Sequence, residues 1–301
     1  MKFLETAPTA VIIPVHGGRA LTVRCLESLR NCDPLPIMVV IVDDGSPDDT
    51  AAHLRTHDPD IHVVSGDGNL WWGGATNIGC EYAIGRGAQT LILLNNDNVE
   101  VSQNLLCELV RLVDERGGCV GATTLLETPD GRRKIFGSGG ILDWKGRGTI
   151  LRDSGELFQE SETVAECEWL PGMALAFTAE TFQGLGGIDA SAFPQTRGDA
   201  DFTIRARSLG YRCSVSSGCW IVNDRSQIPF AFNRRLSVKD FFRGLVIRNS
   251  NYQLRSTFLF FLRHCPPGWL VPCLAGFYAR YLSAWLKTQR LSPLELRDRS
   301  A

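Results

Sequence analysis

The chain of 301 residues has no CxxC pair among its 10 cysteines and almost no charge imbalance, with a formal net charge of -2. It also has no uninterrupted apolar run near the ~20 residues that span a bilayer. Each absence removes a class of protein. Scattered, unpaired cysteines argue against a zinc frame or a disulfide scaffold and read as buried thiols of a reducing cytoplasm. Without a basic surplus there is no global attraction to nucleic acid, and no nucleic-acid partner is expected. The first ten residues, MKFLETAPTA, pass into a strand with no signal-peptide apolar region, which predicts no export and a cytoplasmic location. No internal repeat or low-complexity tract is visible. What remains is an ordinary globular composition, 44% hydrophobic and 21% charged, long enough to bury a sizeable core.

Residues 90–100, TLILLNNDNVE, organise the rest. The apolar run 91–94 predicts a buried strand that ends directly in Asn95, Asn96, Asp97 and Asn98. In an open parallel sheet the carboxyl ends of the strands line the ligand crevice. A carboxylate with amide oxygens there suits Mg²⁺ or Mn²⁺ carrying a phosphate, although an Asn-rich turn would account for the segment alone equally well.

Similar units surround it. Residues 10–15 (AVIIPV) and 36–42 (PIMVVIV) are continuously apolar, as strands covered on both faces require. The first is followed by His16, Gly17, Gly18 and a helix with Leu21, Cys25, Leu26 and Leu29 on one face. The second ends at Asp43, Asp44 and Gly45 before a helix predicted over 47–55. A strand at 61–64, the loop 66–74 (GDGNLWWGG), a helix over 75–85, and a helix over 101–115 complete a βα alternation that predicts a doubly wound, mostly parallel sheet. Asp43 and Asp44 are placed to bond a base or ribose, or else to make a generic Asp-Gly-Ser turn. Gly73 and Gly74 would let backbone N–H groups approach a phosphate at a helix start, with Trp71 or Trp72 flooring a sugar or base, unless the indoles are core.

After Gly117 the pattern turns to α+β material. A strand is expected at 119–126, a turn at 129–132, β-rich chain over 134–151, a strand bent at Pro171 and Gly172 over 169–178, a short helix from Glu180 and a helix over 201–209. The expected division is residues 1–117, a nucleotide-binding half; 118–224, a half of the same domain that bears the second substrate; and 225–301, a helical extension. That extension is basic and aromatic. Its apolar stretch 257–285 is interrupted by Arg263, His264, Pro266, Pro267 and Arg280. It reads either as helices packing on the catalytic domain or on a second subunit, or as an interfacial patch at the inner face of the plasma membrane with Lys287 and Arg290 at its margin. Burial of Phe258, Phe260, Phe261 and Trp269 would favour packing.

The segments VIIPVHGG, IVDDGSPDDT, GNLWWGGATNIG, LLNNDN, WLPGMALAFTAETFQGLGGID and GDADFTIRARSLGY occur in the order seen in family 2 glycosyltransferases. The chain resembles the rhamnosyltransferase-like branch of these GT-A fold, inverting enzymes over residues 10–223. The resemblance makes 1–117 a nucleotide-sugar-binding half and 118–224 an acceptor-binding and catalytic one. The resemblance implies that Pro14, Val15 and Asp43 surround the base and ribose with Asp44 close by, and that Asn69, Trp72, Gly73, Asn77 and Asn96 line the donor. It implies that Asp97 closes the Asp-x-Asp motif and holds Mg²⁺ or Mn²⁺ on the donor diphosphate, with Asn95 in place of the first acid. Asp199 matches the general base; Trp169, Gly172 and Asp201 match the acceptor side. Asn223 stands near the usual metal-binding histidine, and none of the 5 histidines replaces it. The implied donor is dTDP-rhamnose or a UDP-hexose, and the acceptor a glycan or lipid-linked glycan of the bacterial surface. Two rivals remain. The losses at Asn95, Gly198 and Asn223 motivate a catalytically weakened glycan-binding or scaffold subunit. A sugar nucleotidyltransferase would need paired basic residues after the first strand, where HGGRALT offers only Arg19.

Overall fold

The computed structural model describes residues 2–128, 130–144, 148–224 and 235–289. Pro129 of the expected turn, the 145–147 part of the β-rich stretch, residues 225–234 at the start of the extension and Arg290 lie outside the described residues.

The first half alternates as its apolar runs predict. Strand β1 (Thr9–Val15) leads to α1 (Arg19–Arg30), β2 (Ile37–Asp43) to α2 (Thr50–His57), and β3 (His62–Ser65) to α3 (Trp71–Ile84). Then β4 (Thr90–Leu94) passes through the short β5 (Asn98–Val101) to α4 (Leu105–Arg116). Strands β3, β2, β1 and β4 lie side by side, all parallel. Every residue of β1, β2 and β4 is buried, the reason these strands read as unbroken apolar runs. The chain steps outward from β1 through β2 to β3, then returns to β4 on the other side of β1. That reversal opens a crevice at the carboxyl ends of β1 and β4.

The second half adds β6 (Cys119–Glu127), β7 (Arg133–Gly137), β8 (Gly140–Asp143), β9 (Gly148–Leu151), β10 (Val164–Glu166), β11 (Ala174–Thr178), α5 (Ala179–Gly184), α6 (Gly198–Ser208) and β12 (Cys213–Asn223). Strand β11 runs antiparallel between β4 and β6, and β12 lies parallel to β6, so both halves share one mostly parallel sheet. Strands β8 and β9 form a separate hairpin. Three helices follow: α7 (Val238–Val246), α8 (Leu254–His264) and α9 (Leu270–Gln289).

Side chains alternate across the sheet. Val11, Ile13 and Val15 face a core with Leu26 and Leu29 of α1, Leu54 of α2 and Leu105 and Leu109 of α4. Ala10 and Ile12 face the opposite core with Ala75 and Cys80 of α3, Phe182 of α5 and Phe202 of α6. Helix α3 presses close because Gly79 has no Cβ; one there would stand 2.5 Å from Ile12 and 3.0 Å from Val42. A third cluster joins Trp169, Phe193 and Ala200 to Phe260, Phe261 and Cys273 of the C-terminal helices. All ten cysteines are free and eight are buried.

Several boundaries differ from those expected, each through a long-range contact. The helix expected over 101–115 starts at Leu105, because residues 98–101 pair with β12 more than a hundred residues on. The helix over 75–85 begins at Trp71, whose N–H is taken by the Asp44 carboxylate. The helix over 201–209 begins at Gly198. The strand over 169–178 begins only at Ala174, since the N–H groups of Leu170 and Gly172 bond Thr203 and Asp199 of α6. The helix over 47–55 lies at Thr50–His57. In the extension, Phe260 and Phe261 are buried whereas Phe258 and Trp269 are 46% and 43% exposed, so packing covers only one side of these helices. Among the described residues no helix is long and apolar enough to cross a membrane.

Candidate functional site

The crevice is floored by the ends of β1, β2 and β4. Val15 is buried, and its carbonyl accepts the Asp44 N–H at 2.8 Å, which locks the ends of β1 and β2 together. Asp43 accepts the Ser46 N–H on Oδ1 at 2.7 Å, which leaves its second oxygen for a ligand. Asp44 differs: its two oxygens accept the N–H groups of Gly68 and Trp71 at 2.7 and 2.9 Å. It is a staple that folds the 66–71 loop onto β2 rather than a ribose ligand.

The start of α3 is likewise saturated. Trp71 N–H goes to Asp44, Trp72 N–H to the Gln195 side chain, Gly73 N–H to the Pro194 carbonyl and Gly74 N–H to the Leu70 carbonyl. The Gly74 bond is the ordinary helical one, whereas the N–H groups of Trp71, Trp72 and Gly73, which a helix start leaves without helical partners, are taken by other parts of the protein, so Gly73 offers no free N–H to a phosphate. Asn77 is also corrected: its amide clasps Ile188 through both the N–H and the carbonyl, at 2.9 and 2.8 Å. Asn69 stands exposed in the preceding turn. Asn96 turns its amide nitrogen to the Gly17 carbonyl and the Thr22 hydroxyl, tying the end of β4 to the start of α1.

Two polar chains radiate from the Gly172–Met173 bend. In one, Asp199 accepts the Gly172 N–H at 2.8 Å, the Trp72 indole packs against Gly172, and Trp72 donates its Nε1–H to Asn95 Oδ1 at 3.0 Å. In the other, the Asn98 amide donates to the Met173 carbonyl, and Asn223 donates to Asn98 at 3.1 Å and to Asp97 at 2.7 Å. The bend therefore ties Asp199 at the start of α6 to Asn95 and Asp97 at the end of β4. Asp199 is not a helix cap: it lies within the first turn of α6, and Oδ1 accepts the adjacent Ala200 N–H. Burial raises its pKa above the usual carboxylate value, against the lowering pull of the Gly172 and Ala200 N–H groups and of the Arg197 charge.

Asp97 is the carboxylate at the end of β4 that can meet a hard cation. Asn95 adds an amide oxygen already holding one N–H. Asn223 presents its nitrogen to Asp97, so it orients that carboxylate instead of serving as the third ligand expected of it. Among the described residues no group of three His, Cys, Asp or Glu side chains gathers to hold a metal. Such a donor set fits a cation that takes most of its oxygens from a diphosphate and water, the habit of Mg²⁺.

Two acceptor-side expectations are overturned. Asp201 is fully buried among Arg205, Arg263 and His264, at 2.8, 2.7 and 2.9 Å, and is closed to any ligand. Trp169 is buried in the third core, with its indole N–H on the Ile141 carbonyl. Pro14 is enclosed within β1.

The sequence reading gave no role to Arg197 or Arg248. Arg197 precedes α6 with φ at 69°, a left-handed value unusual for a side-chain-bearing residue. Its guanidinium lies over Phe260 and Phe277 at 5.1 Å each and bonds the Asn251 carbonyl, while its Nε finds no partner. Burial lowers its pKa to about 10. Arg248 lies over the Trp71 ring at 5.5 Å. Both contacts join the extension to the catalytic body, Arg197 reaching into it and Arg248 reaching out of it, beyond the reach of any local motif.

An open, mostly parallel sheet with carboxylates and amides gathered at its strand ends defines an α/β protein of the crevice-binding class. The chain belongs to glycosyl transferase family 2, whose family model matches residues 10–161. It is similar to polyprenol monophosphomannose synthase of Mycolicibacterium smegmatis, 31% identical over 113 residues, 36% of this chain and 41% of that one. The matched part spans less than half the length of the curated relatives. Among solved structures it superposes on GalNAc-T7 with UDP, GalNAc and Mn²⁺ at a TM-score of 0.57 and 16% identity, over 86% of this chain and 55% of that one. It superposes on mannosyltransferase PcManGT from Pyrobaculum calidifontis, in complex with GDP-Man and Mn²⁺, at 0.56 and 16% identity, over 98% and 81%. These likenesses show the GT-A fold.

Proposed function

We propose that the chain is an inverting glycosyltransferase that moves one sugar from a nucleotide diphosphate donor to a hydroxyl of a glycan or lipid-linked acceptor, in the synthesis of bacterial surface polysaccharide. The observation that carries this reading is the pair of polar chains tying Asp199 to Asn95 and Asp97 through the Gly172–Met173 bend. Asp97 belongs at the diphosphate and Asp199 at the acceptor. As the acceptor oxygen bonds to the anomeric carbon, its proton passes to Asp199, and the bond from that carbon to the diphosphate breaks on the opposite face. Configuration inverts and the nucleoside diphosphate leaves. A raised pKa suits Asp199 to receive that proton. Mg²⁺ or Mn²⁺ on Asp97, when bound, would neutralise the departing diphosphate, and Asn95 would present an oxygen beside it.

The donor is dTDP-rhamnose or a UDP-hexose; the similarity to proteins titled with UDP or GDP-Man makes dTDP, UDP and GDP the nucleotides to compare. Calorimetry with each, with Mn²⁺ or Mg²⁺ and then a chelator, tests the site, and donor turnover tests the reaction. Asp199→Asn is expected to bind nucleotide and fail to turn over. The scaffold reading has one observation behind it, the Asn223 nitrogen directed at Asp97 where a metal ligand would stand. Nucleotide binding by the unaltered chain without turnover on any acceptor would support it.

A further inference from the structure

The outer sides of the three C-terminal helices are apolar and open. Val238, Phe242 and Val246 of α7, and Leu254, Phe258 and Leu262 of α8, each recur every fourth residue, which sets them along one side of their helix. On α9 exposed Val271, Ala275, Ala279, Leu282 and Leu286 fall within an arc of about 80° at ~100° per residue. The large side chains in these stripes are 44 to 74% exposed, whereas β1, β2 and β4 are buried along their whole length. Trp269, in the turn between α8 and α9, is exposed as well.

The other sides are engaged. Phe241 of α7 stacks on Tyr281 of α9 at 4.7 Å, and Trp285 donates to the Leu236 carbonyl. Phe260 of α8 meets Phe193, Ser256 bonds the Ala192 carbonyl, and Arg263 bridges Asp189 and Asp201. The helices are thus fixed to the catalytic body by one side and present the opposite side outward.

Charge decides what that outward side meets. Besides Arg263, already paired with Asp189 and Asp201, residues 235–289 carry Arg235, Lys239, Arg243, Arg248, Arg255, Arg280 and Lys287 against a single acid, Asp240, which is occupied in the Ser237 capping box. The whole chain, by contrast, is formally -2. A second copy docked by the same face would set this basic surplus against itself, since a twofold interface repeats the same patch. A bilayer with anionic headgroups satisfies both features at once: acyl chains for the stripes and phosphates for the cations. A tryptophan at the margin suits the headgroup level.

We propose that the outer faces of α7, α8 and α9 form a docking surface for a membrane rich in anionic lipid. The helices lie in the headgroup plane without crossing it, and the surface does not depend on what the crevice binds.

Flotation of the full-length protein with phosphatidylcholine vesicles, alone or mixed with phosphatidylglycerol, tests this without nucleotide or turnover. Binding is expected to the mixed vesicles, to weaken in salt, and to be weak on phosphatidylcholine. Lys239→Glu, Arg243→Glu and Lys287→Glu together should reduce it by roughly a hundredfold. Val238→Ser, Val246→Ser and Val271→Ser together should abolish it, with the thermal unfolding midpoint little changed because all three side chains are mostly in solvent. The proposal is overturned by no binding to mixed vesicles, by equal binding to both kinds, or by binding indifferent to either set of substitutions. It is also overturned if light scattering finds a dimer that the serine variant converts to monomer while lipid binding is absent; a second copy is then the occupant.

Discussion

Gly172→Ala is the most economical probe of the site, because a single methyl group would enter the junction between the two polar chains. A Cβ at this position would lie 2.5 and 2.9 Å from Cζ2 and Cη2 of Trp72, and 3.2 Å from the Asp199 Cβ. Carbon atoms settle at about 3.5–4.0 Å, so the indole must retreat by roughly 1 Å. Gly172 is not among the residues with a left-handed backbone, so alanine meets no torsional penalty and the effect is steric. The ring has little freedom to retreat. Its Nε1–H is held by Asn95, and its far edge faces Gly198, where an added Cβ would already be 3.4 Å away.

Overpacking of this kind costs about 1–3 kcal/mol of stability. A misplacement near 1 Å at a reacting centre costs on the order of a hundredfold in rate, which is about 2.7 kcal/mol of barrier. Urea unfolding reads the first quantity, and nucleotide release from the donor reads the second, with nucleotide affinity as the control for an intact crevice. Trp72→Leu supplies a cycle: it removes the ring that the methyl group strikes, so the two stability effects should be non-additive by about 1 kcal/mol or more. A Gly172→Ala protein with turnover within threefold of the parent and an unshifted unfolding midpoint would refute the reasoning, as would strict additivity with Trp72→Leu.

Other expectations follow from the same geometry. Because burial raises the Asp199 pKa, the acid limb of kcat/KM should lie above the ordinary carboxylate range; Arg197→Gln removes a charge that lowers that pKa and should move the limb further up, and a pH profile with no such movement would separate the two residues. Asp199→Asn should lower kcat by about 10²–10⁴-fold, the usual worth of a general base, with nucleotide affinity unchanged by calorimetry. For Asp201, burial pushes the pKa up but His264, Arg205 and Arg263 outweigh it and hold it below 3.8. Its contribution is therefore complete above the ordinary carboxylate value and is lost as pH falls through the lowered one; Asp201→Asn, which strands the Arg205 and Arg263 guanidinium groups, should cost about 3–5 kcal/mol in urea unfolding. Asp97→Asn should remove the effect of a chelator on nucleotide binding, and chelator sensitivity that survives the substitution would place the metal elsewhere.

The sheet was legible because strands covered on both faces need unbroken apolar runs, and 10–15, 36–42 and 91–94 each supply one. For Asp97 and Asp199 the sequence predicted position, one at the end of the fourth strand and the other at the start of a helix, and the structure keeps both positions. Asp44, Asn77, Asn96 and Asp201 read as candidate ligands, and the structure gives each of them partners within the fold. Each is a polar residue in a motif segment, and a short polar side chain at a strand end or helix start serves equally to ligate a substrate or to satisfy backbone N–H groups. Which of these it does depends on partners distant in sequence: Trp71 for Asp44, Ile188 for Asn77, Thr22 for Asn96 and His264 for Asp201. The start of α3 was misjudged on the same ground, since the groups that fill its N–H positions, Pro194 and Gln195, come from a loop more than a hundred residues away.

Backbone strain marks the same place from another direction. Four described residues other than glycine have left-handed torsions, and two of them, Trp71 and Arg197, stand at the starts of α3 and α6, the helices that carry Trp72 and Asp199. Each such conformation costs on the order of 1–3 kcal/mol and persists only where surrounding contacts over-determine it. At Trp71 the restraint is the Asp44 carboxylate; at Arg197 it is the aromatic floor of Phe260 and Phe277 together with the Asn251 carbonyl. The second restraint belongs wholly to the C-terminal extension, from α8, α9 and the turn that precedes α8. Those helices therefore do more than cover the third core: they hold the turn that aims Asp199 at the Gly172–Met173 bend, and a change in how α8 and α9 sit would be felt first at Asp199.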